Sequence, residues 1–208
     1  MNLCVGLVVL MEKVQPTHTR PKPESGPSDA ALVVAARAGE KWAQEALFRR
    51  YSRMVNGLAF RLLGRDQDVD DLVQDSFVSA LRSLDRLAEP QAFASWLGSI
   101  VVRSAHKLIR RRKLLSRLGL RKPAPVELDQ VMSSSAPPPS VAAELSKVYR
   151  CLDALDTEAR IALVLHRVDG LSIPEVAEQM KLSASTVKRR LKVAERHLAS
   201  HTAGDREP

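Results

Sequence analysis

Residues 170–192 read GLSIPEVAEQMKLSASTVKRRLK, and this stretch decides the architecture. Ser172-Ile173-Pro174-Glu175 has the pattern of a capping box. The serine hydroxyl can accept from the amide three residues on, the glutamate can reach back, and a proline in the first turn loses no helical hydrogen bond. Ala177 is small where two helices would cross closely. Met180 and Leu182 bracket a short turn, and Ser183 can cap the next helix. Val187, Leu191, Ala194 and Leu198 then share one face, which leaves Ser185, Thr186, Lys188, Arg189 and Lys192 facing out. A short helix, a tight turn and an exposed helix with hydroxyls ahead of cations is helix-turn-helix spacing. Hydroxyls and arginine suit major-groove base edges or phosphates, while lysine mostly neutralises phosphate. The plainer reading is a helical hairpin with a solvated basic face. The agreement of small residue, caps, turn length and charge favours the helix-turn-helix.

Working outward, helical periodicity covers most of the rest. Ser28 can cap a short helix over 29–38 that is interrupted at Gly39. Residues 40–63 place Trp42, Ala46, Leu47, Tyr51, Met54, Leu58 and Leu62 at helical spacing, and Gly64 sits where a C-terminal cap belongs. Asp66 to Leu84 is a third helix with Val69, Leu72, Val73, Phe77, Ala80 and Leu84 inward. Beyond Pro90, Phe93 to Arg112 is a fourth. Residues 119–140 hold six prolines and Ser133-Ser134-Ser135 and read as a linker. Helical patterns resume over 141–154, 157–168, 172–180 and 184–199. No stretch alternates as an exposed strand does. The expected fold is all-α, with two helical domains over about 28–118 and 141–200, the second a helix-turn-helix, flanked by a disordered extension (1–27) and tail (201–208).

Composition agrees with a soluble globular chain: of 208 residues, 45% are apolar and 27% charged. Two cysteines, Cys4 and Cys151, exclude a disulfide scaffold and a Cys-rich zinc site. Residues 1–14 are apolar but lack the positive start and cleavage pattern of a secretory signal, and Met11 is an alternative initiator. The formal charge of +8 is concentrated, since residues 100–122 carry +9 and residues 181–200 carry +5. Two basic patches on either side of an acidic linker suit two contacts with one polyanion.

Two further clusters could carry binding. Asp66-Gln67-Asp68-Val69-Asp70-Asp71 has acids at alternate positions, but a calcium loop fails because Gly is missing at its sixth position and Phe77 stands at the twelfth. The acids either enrich a solvated helix start or, with Asp71, Gln74, Asp75 and Val78 on one face, form a partner surface. On the fourth helix, Arg103, Lys107 and Arg110 form a stripe within a run that also holds His106, Arg111, Arg112 and Lys113. This run is a solvated helix end or, beside Phe93 and Trp96, a track for a single strand whose bases can stack. Catalysis finds no support. The histidines have no partners at metal spacing, and there is no Gly-rich phosphate loop or nucleophile elbow, so no cofactor or metal is expected.

Four segments together resemble the bacterial RNA polymerase sigma factors of the extracytoplasmic-function type. DDLVQDSF at 70–77 is similar to the family's segment that docks on the clamp helices of the polymerase largest subunit. FASWLGSI at 93–100 resembles the segment leading into the helix that recognises the −10 promoter element. GLSIPEVA at 170–177 and STVKRRL at 185–191 resemble the segments that bind the −35 element. The resemblance implies core polymerase contacts at Asp71, Leu72, Gln74 and Asp75. It implies −10 contacts at Trp96, Arg103, His106, Lys107, Arg110 and Arg111, and −35 contacts at Ser185, Thr186, Lys188, Arg189, Arg190 and Lys192. It further implies promoter DNA, the polymerase β flap and an anti-sigma factor as partners, a linker along the RNA exit path, and a cytoplasmic, nucleoid-associated protein that is not an enzyme.

Four positions depart from the family pattern. Arg103 stands where Asn is usual, Lys107 where Asp is usual, and Lys181 and Ala184 where Gly is usual. The first two make the −10 helix more basic, and Lys181 is expected to take a left-handed conformation. Two other functions compete on the residues alone. One is a dimeric helix-turn-helix regulator that works without polymerase. The other is a metal-dependent nuclease using the acids of 66–75, which lack a nearby His or Lys base.

Overall fold

The computed structural model describes residues 26–64, 66–120 and 139–204. Among these residues the regular structure is helical throughout, as the periodicity predicts. The N-terminal extension, most of the linker and the last residues of the tail lie outside the described residues.

The first half is built on four helices: α1 (Asp29–Arg37), α2 (Lys41–Leu63), α3 (Asp66–Arg82) and α4 (Phe93–Arg117). Ser28 caps α1, its hydroxyl accepting from the Ala31 amide at 3.2 Å. Asp29 then ties α1 to α2, accepting from Arg50 Nη1 at 2.6 Å and from the Tyr51 hydroxyl at 2.5 Å. The α2 helix ends at Gly64 with φ 68°, the left-handed cap that a residue without Cβ adopts freely. Its inner face, including Leu47, Tyr51, Val55, Leu58 and Leu62, meets α3 and α4. Tyr51 stands edge-on to Phe93 at 5.1 Å between ring centres.

Two boundaries differ from the periodic pattern. The third helix stops at Arg82, and Leu84–Arg86 forms a separate 3₁₀ turn. Ser83 Oγ bonds back to the Ser79 carbonyl at 2.6 Å, while the Arg37 guanidinium donates to the carbonyls of Leu84 and Leu87. These partners hold the backbone in a turn that pure helix could not make. The fourth helix runs to Arg117, past the expected stop, because nothing breaks it before Gly119 (φ 68°). Trp42, expected at core spacing, is 52% exposed instead.

The second half comprises α5 (Pro139–Ala154), α6 (Thr157–Leu163), a π turn over Val164–Val168, α7 (Ile173–Met180) and α8 (Ala184–Gly204). Residues 157–168 therefore form the expected helix, but its last turn is widened. The Asp169 amide reaches the Val164 carbonyl five residues back at 3.0 Å. The capping box at Ser172 and Glu175 is present in full. Lys181 ends α7 at φ 54°, ψ 45°, the left-handed conformation expected for it. Val187, Leu191, Ala194 and Leu198 are all buried. Each fully buried Val or Leu contributes about 1.5–3 kcal/mol, and together these four hold α8 against the second half.

Although the sequence reads as two units on a tether, the halves pack together, with α4 against α6 and α7. Tyr149 Oη donates to the Phe60 carbonyl at 3.1 Å, and Arg160 donates to the carbonyls of Leu62 and Leu63 at 3.0 and 3.3 Å. These carbonyls belong to the last turn of α2, which has no helical donors left for them. Gly64 also seats the Tyr149 ring, which leaves no room for a Cβ.

Candidate nucleic-acid and partner interfaces

The exposed start of α8 is set by its cap. Ser183 Oγ accepts from the Thr186 amide at 3.2 Å and lies 2.9 Å from Ser185 Oγ and 2.8 Å from Thr186 Oγ1. The two hydroxyls expected at the DNA thus sit in one small cluster at the positive end of the helix dipole, which favours phosphate. Lys188, Arg189 and Lys192 are exposed beside them. Arg190 is placed differently. Its Nη2 is 2.7 Å from Glu158 Oε2, and its Nη1 is 3.5 Å from Asp156 Oδ2, so it joins α8 to the start of α6.

On α4, Lys107, Arg110 and Arg111 are exposed, whereas Arg103 and His106 are half-buried. Trp96 is also half-buried, its ring 6.0 Å from that of Phe93. The basic run is not one continuous free surface. Arg112 pairs with Asp68 on α3, and Lys113 Nζ donates to the Leu155 carbonyl of the second half. Burial, then repulsion from Arg160, holds the Lys113 ammonium below the usual lysine range.

The acidic face on α3 presents Asp71, Gln74 and Asp75, all exposed, with Val78 beside them. Leu72 lies in the core at 3% exposure. The three expected surfaces are therefore formed by distinct helices: α3 for the acids, α4 for the basic stripe and α8 for the groove-reading residues.

The sequence reading overlooked two features. Phe48 is 47% exposed while its ring stands 4.8 Å from Phe77, so it is both core edge and surface. It lies between the buried Leu47 and Tyr51, which carry the helical spacing, and so drew no notice. The other is the polar contact between the halves. Tyr149, Arg160 and Asp169 meet residues far away in the chain, and local pattern holds no signal for such pairs. The Tyr149 hydroxyl, fully enclosed there, has its pKa raised above the usual tyrosine value, chiefly by burial.

Among the described residues, no group of His, Cys, Asp and Glu is arranged to hold a metal, and no helix is long and apolar enough to cross a membrane.

Sequence comparison agrees with this division of surfaces. Residues 47–114 match Sigma-70 region 2, and residues 145–198 match Sigma-70 region 4. The chain belongs to the sigma-70 family of RNA polymerase sigma factors. Within it, the relatives are of the extracytoplasmic-function type, and the protein is an alternative sigma factor that directs transcription from promoters. It is 35% identical to the ECF RNA polymerase sigma factor SigM of Mycobacterium tuberculosis over 83% of each chain. It is 33% identical to the RNA polymerase sigma factor CnrH of Cupriavidus metallidurans over 87% of this chain and 98% of that one. The fold is similar to CnrH solved in complex with the cytosolic domain of CnrY, with a TM-score of 0.61 over 86% of this chain and 99% of that one at 28% identity. These homologues are sigma factors, which are not enzymes.

Proposed function

We propose that the three surfaces divide the work of promoter recognition. The exposed face of Asp71, Gln74 and Asp75 docks on the clamp helices of core polymerase, with Leu72 shaping that face from beneath. The α4 stripe of Arg103, His106, Lys107, Arg110 and Arg111, with Trp96 at its head, holds the opened non-template strand at the −10 element. Ser185, Thr186, Lys188, Arg189 and Lys192 enter the major groove at the −35 element. Arg190 orients α8 from behind through Glu158. The single observation that carries this reading is the start of α8, where capped hydroxyls and exposed cations converge at one helix end.

Binding alone drives the reaction. Unpairing costs a few kcal/mol, offset by stacked bases worth about 1–3 kcal/mol each and by phosphate contacts. The chain hydrolyses nothing and needs no cofactor. Residues 28–118 and 141–200 serve as the two functional units, and the linker over 119–140 follows the RNA exit path beneath the β flap. An anti-sigma factor is the expected regulator, in keeping with the CnrY domain bound to CnrH. The protein then acts in the cytoplasm at the nucleoid.

Reconstitution with core polymerase tests the reading. The holoenzyme should initiate at discrete sites in a genomic DNA library. Failure to associate with core, or initiation no more selective than that of core alone, would leave the regulator without polymerase as the better account.

A further inference from the structure

We propose that the contact between the two halves is a latch that covers the −10 surface in the free protein, with the buried pair Arg61–Asp169 closing it. The inference rests on the reading of α4 as the strand-binding helix.

Arg61, on the last turn of α2, lies 2.6 Å from Asp169 Oδ1, with side chains 2% and 0% exposed. No other ion pair described here is so fully enclosed on both sides, and it joins the two halves. Around it, the final α2 carbonyls are capped by Tyr149 and Arg160 rather than by their own half. The contact is thus specific, yet much of it is polar. Its carbonyls, guanidinium groups and carboxylate can all take water when the halves separate. Such an interface can open, unlike an apolar one that must stay shut.

What the contact covers gives it meaning. Between the halves runs a cleft of about 1240 Å³. Trp96, Arg103 and Arg86 line it on one side, and Asp169, Glu175 and Glu178 on the other. Two residues expected at the opened strand thus face carboxylates, not solvent. A nucleic-acid strand entering there would meet the second half in its path and negative charge along its own phosphates. Separation of the halves removes both obstacles. Closure holds Arg103 half-buried while the start of α8 stays exposed, so the latch acts on strand binding and spares duplex binding.

Substitutions can open the latch in two independent ways. Asp169→Asn keeps the shape of the side chain and removes the charge opposite Arg61. Gly98→Leu acts by bulk. A Cβ at Gly98 would stand 3.6 Å from Gln179 Nε2, which is ordinary contact, so Gly98→Ala fits while a leucine must push α7 away. Neither change at Gly98 alters charge, which separates opening from simple loss of repulsion.

The test uses the full chain with no polymerase present. Solution scattering reads the radius of gyration, and anisotropy reads binding of a fluorescein-labelled, mixed-sequence 20-nucleotide single strand. The wild-type chain and Gly98→Ala should be compact and bind weakly. Gly98→Leu and Asp169→Asn should be larger and bind at least tenfold tighter. If Asp169→Asn fails to fold, the two Gly98 variants decide alone. Three outcomes overturn the latch: a wild-type radius equal to that of the variants, variants that stay compact, or variants that open without binding more tightly. Transcription by wild-type protein with core polymerase, measured in parallel, separates the two levels. Selective initiation alongside any of these outcomes removes the latch and leaves the sigma reading standing. Absence of selective initiation removes the reading and the latch with it.

Discussion

Arg190 Nη2 lies 2.7 Å from Glu158 Oε2, so a cation in the middle of the groove-reading sequence points into its own domain. Its neighbour Arg189 is exposed. The two arginines should therefore separate by assay. Arg189→Ala should weaken binding to −35 duplex by about 1–3 kcal/mol, roughly tenfold or more, with melting temperature unchanged. Arg190→Ala should lose about 1 kcal/mol of stability, lowering Tm by about 2–4 °C, while any loss of duplex affinity should be smaller than that of Arg189→Ala. Thermal melts and duplex titrations on both variants check this, and equal affinity losses would return Arg190 to the DNA contacts.

Asp71 and Asp75 are exposed on one face of α3 and make no ion pair described here, so reversing them should not disturb folding. The double change Asp71→Lys with Asp75→Lys should weaken association with core polymerase at least tenfold. Binding of −35 duplex by the same protein should be unaffected. Pull-down with core polymerase and duplex titration give the two readings.

Lys181 holds φ 54° at the end of α7, a conformation that costs a side-chain-bearing residue about 1–2 kcal/mol and glycine very little. Lys181→Gly should therefore stabilise the turn by roughly 1 kcal/mol, less what glycine gains in the unfolded chain. The expected readout is a Tm raised by about 2–4 °C. A lower Tm would mean that the lysine side chain contributes more than its backbone strain removes.

Glu175 closes the capping box of α7, accepting from the Ser172 hydroxyl at 2.5 Å and the Ser172 amide at 2.7 Å. These bonds hold its carboxyl below the usual glutamate range. A carboxyl depressed in the folded state stabilises above its unfolded pKa, and that contribution fades as pH falls through the lower, folded value. The start of α7 should accordingly fray in acid. With Ser172→Ala, the Glu175 carboxyl should titrate higher by NMR and the acid dependence should shrink. An unmoved titration would show that the serine bonds are not its cause.

Most helices, and the surfaces each would offer, were legible from local pattern because caps and periodicity act over three or four residues. Ser28, Gly64, Ser172, Lys181 and Ser183 all stand where the spacing puts them. What local pattern could not show was orientation set from elsewhere. Ser83 lies outside the third helix because Arg37, far earlier in the chain, holds the carbonyls that follow it. Arg112 and Lys113 belong to a basic run by sequence, yet each is taken by a partner on another helix. Leu72 shows the opposite case, a residue of the docking motif whose periodicity already assigned it to the core. Trp42 fits the helical spacing but sits on the first turn of α2, where little of the core reaches it.

The π turn over Val164–Val168 has a consequence for length variation. Each residue of an ordinary helix advances the chain by about 100°. A π turn admits one residue more than an ordinary turn, and so re-aims all that follows without changing which side chains are present. Asp169 is the first residue after it. Losing a single residue from this turn would restore regular winding and swing the carboxylate about a quarter-turn from Arg61. Relatives that differ here by one insertion or deletion could keep every helix and every motif, yet differ in how firmly their two halves hold each other.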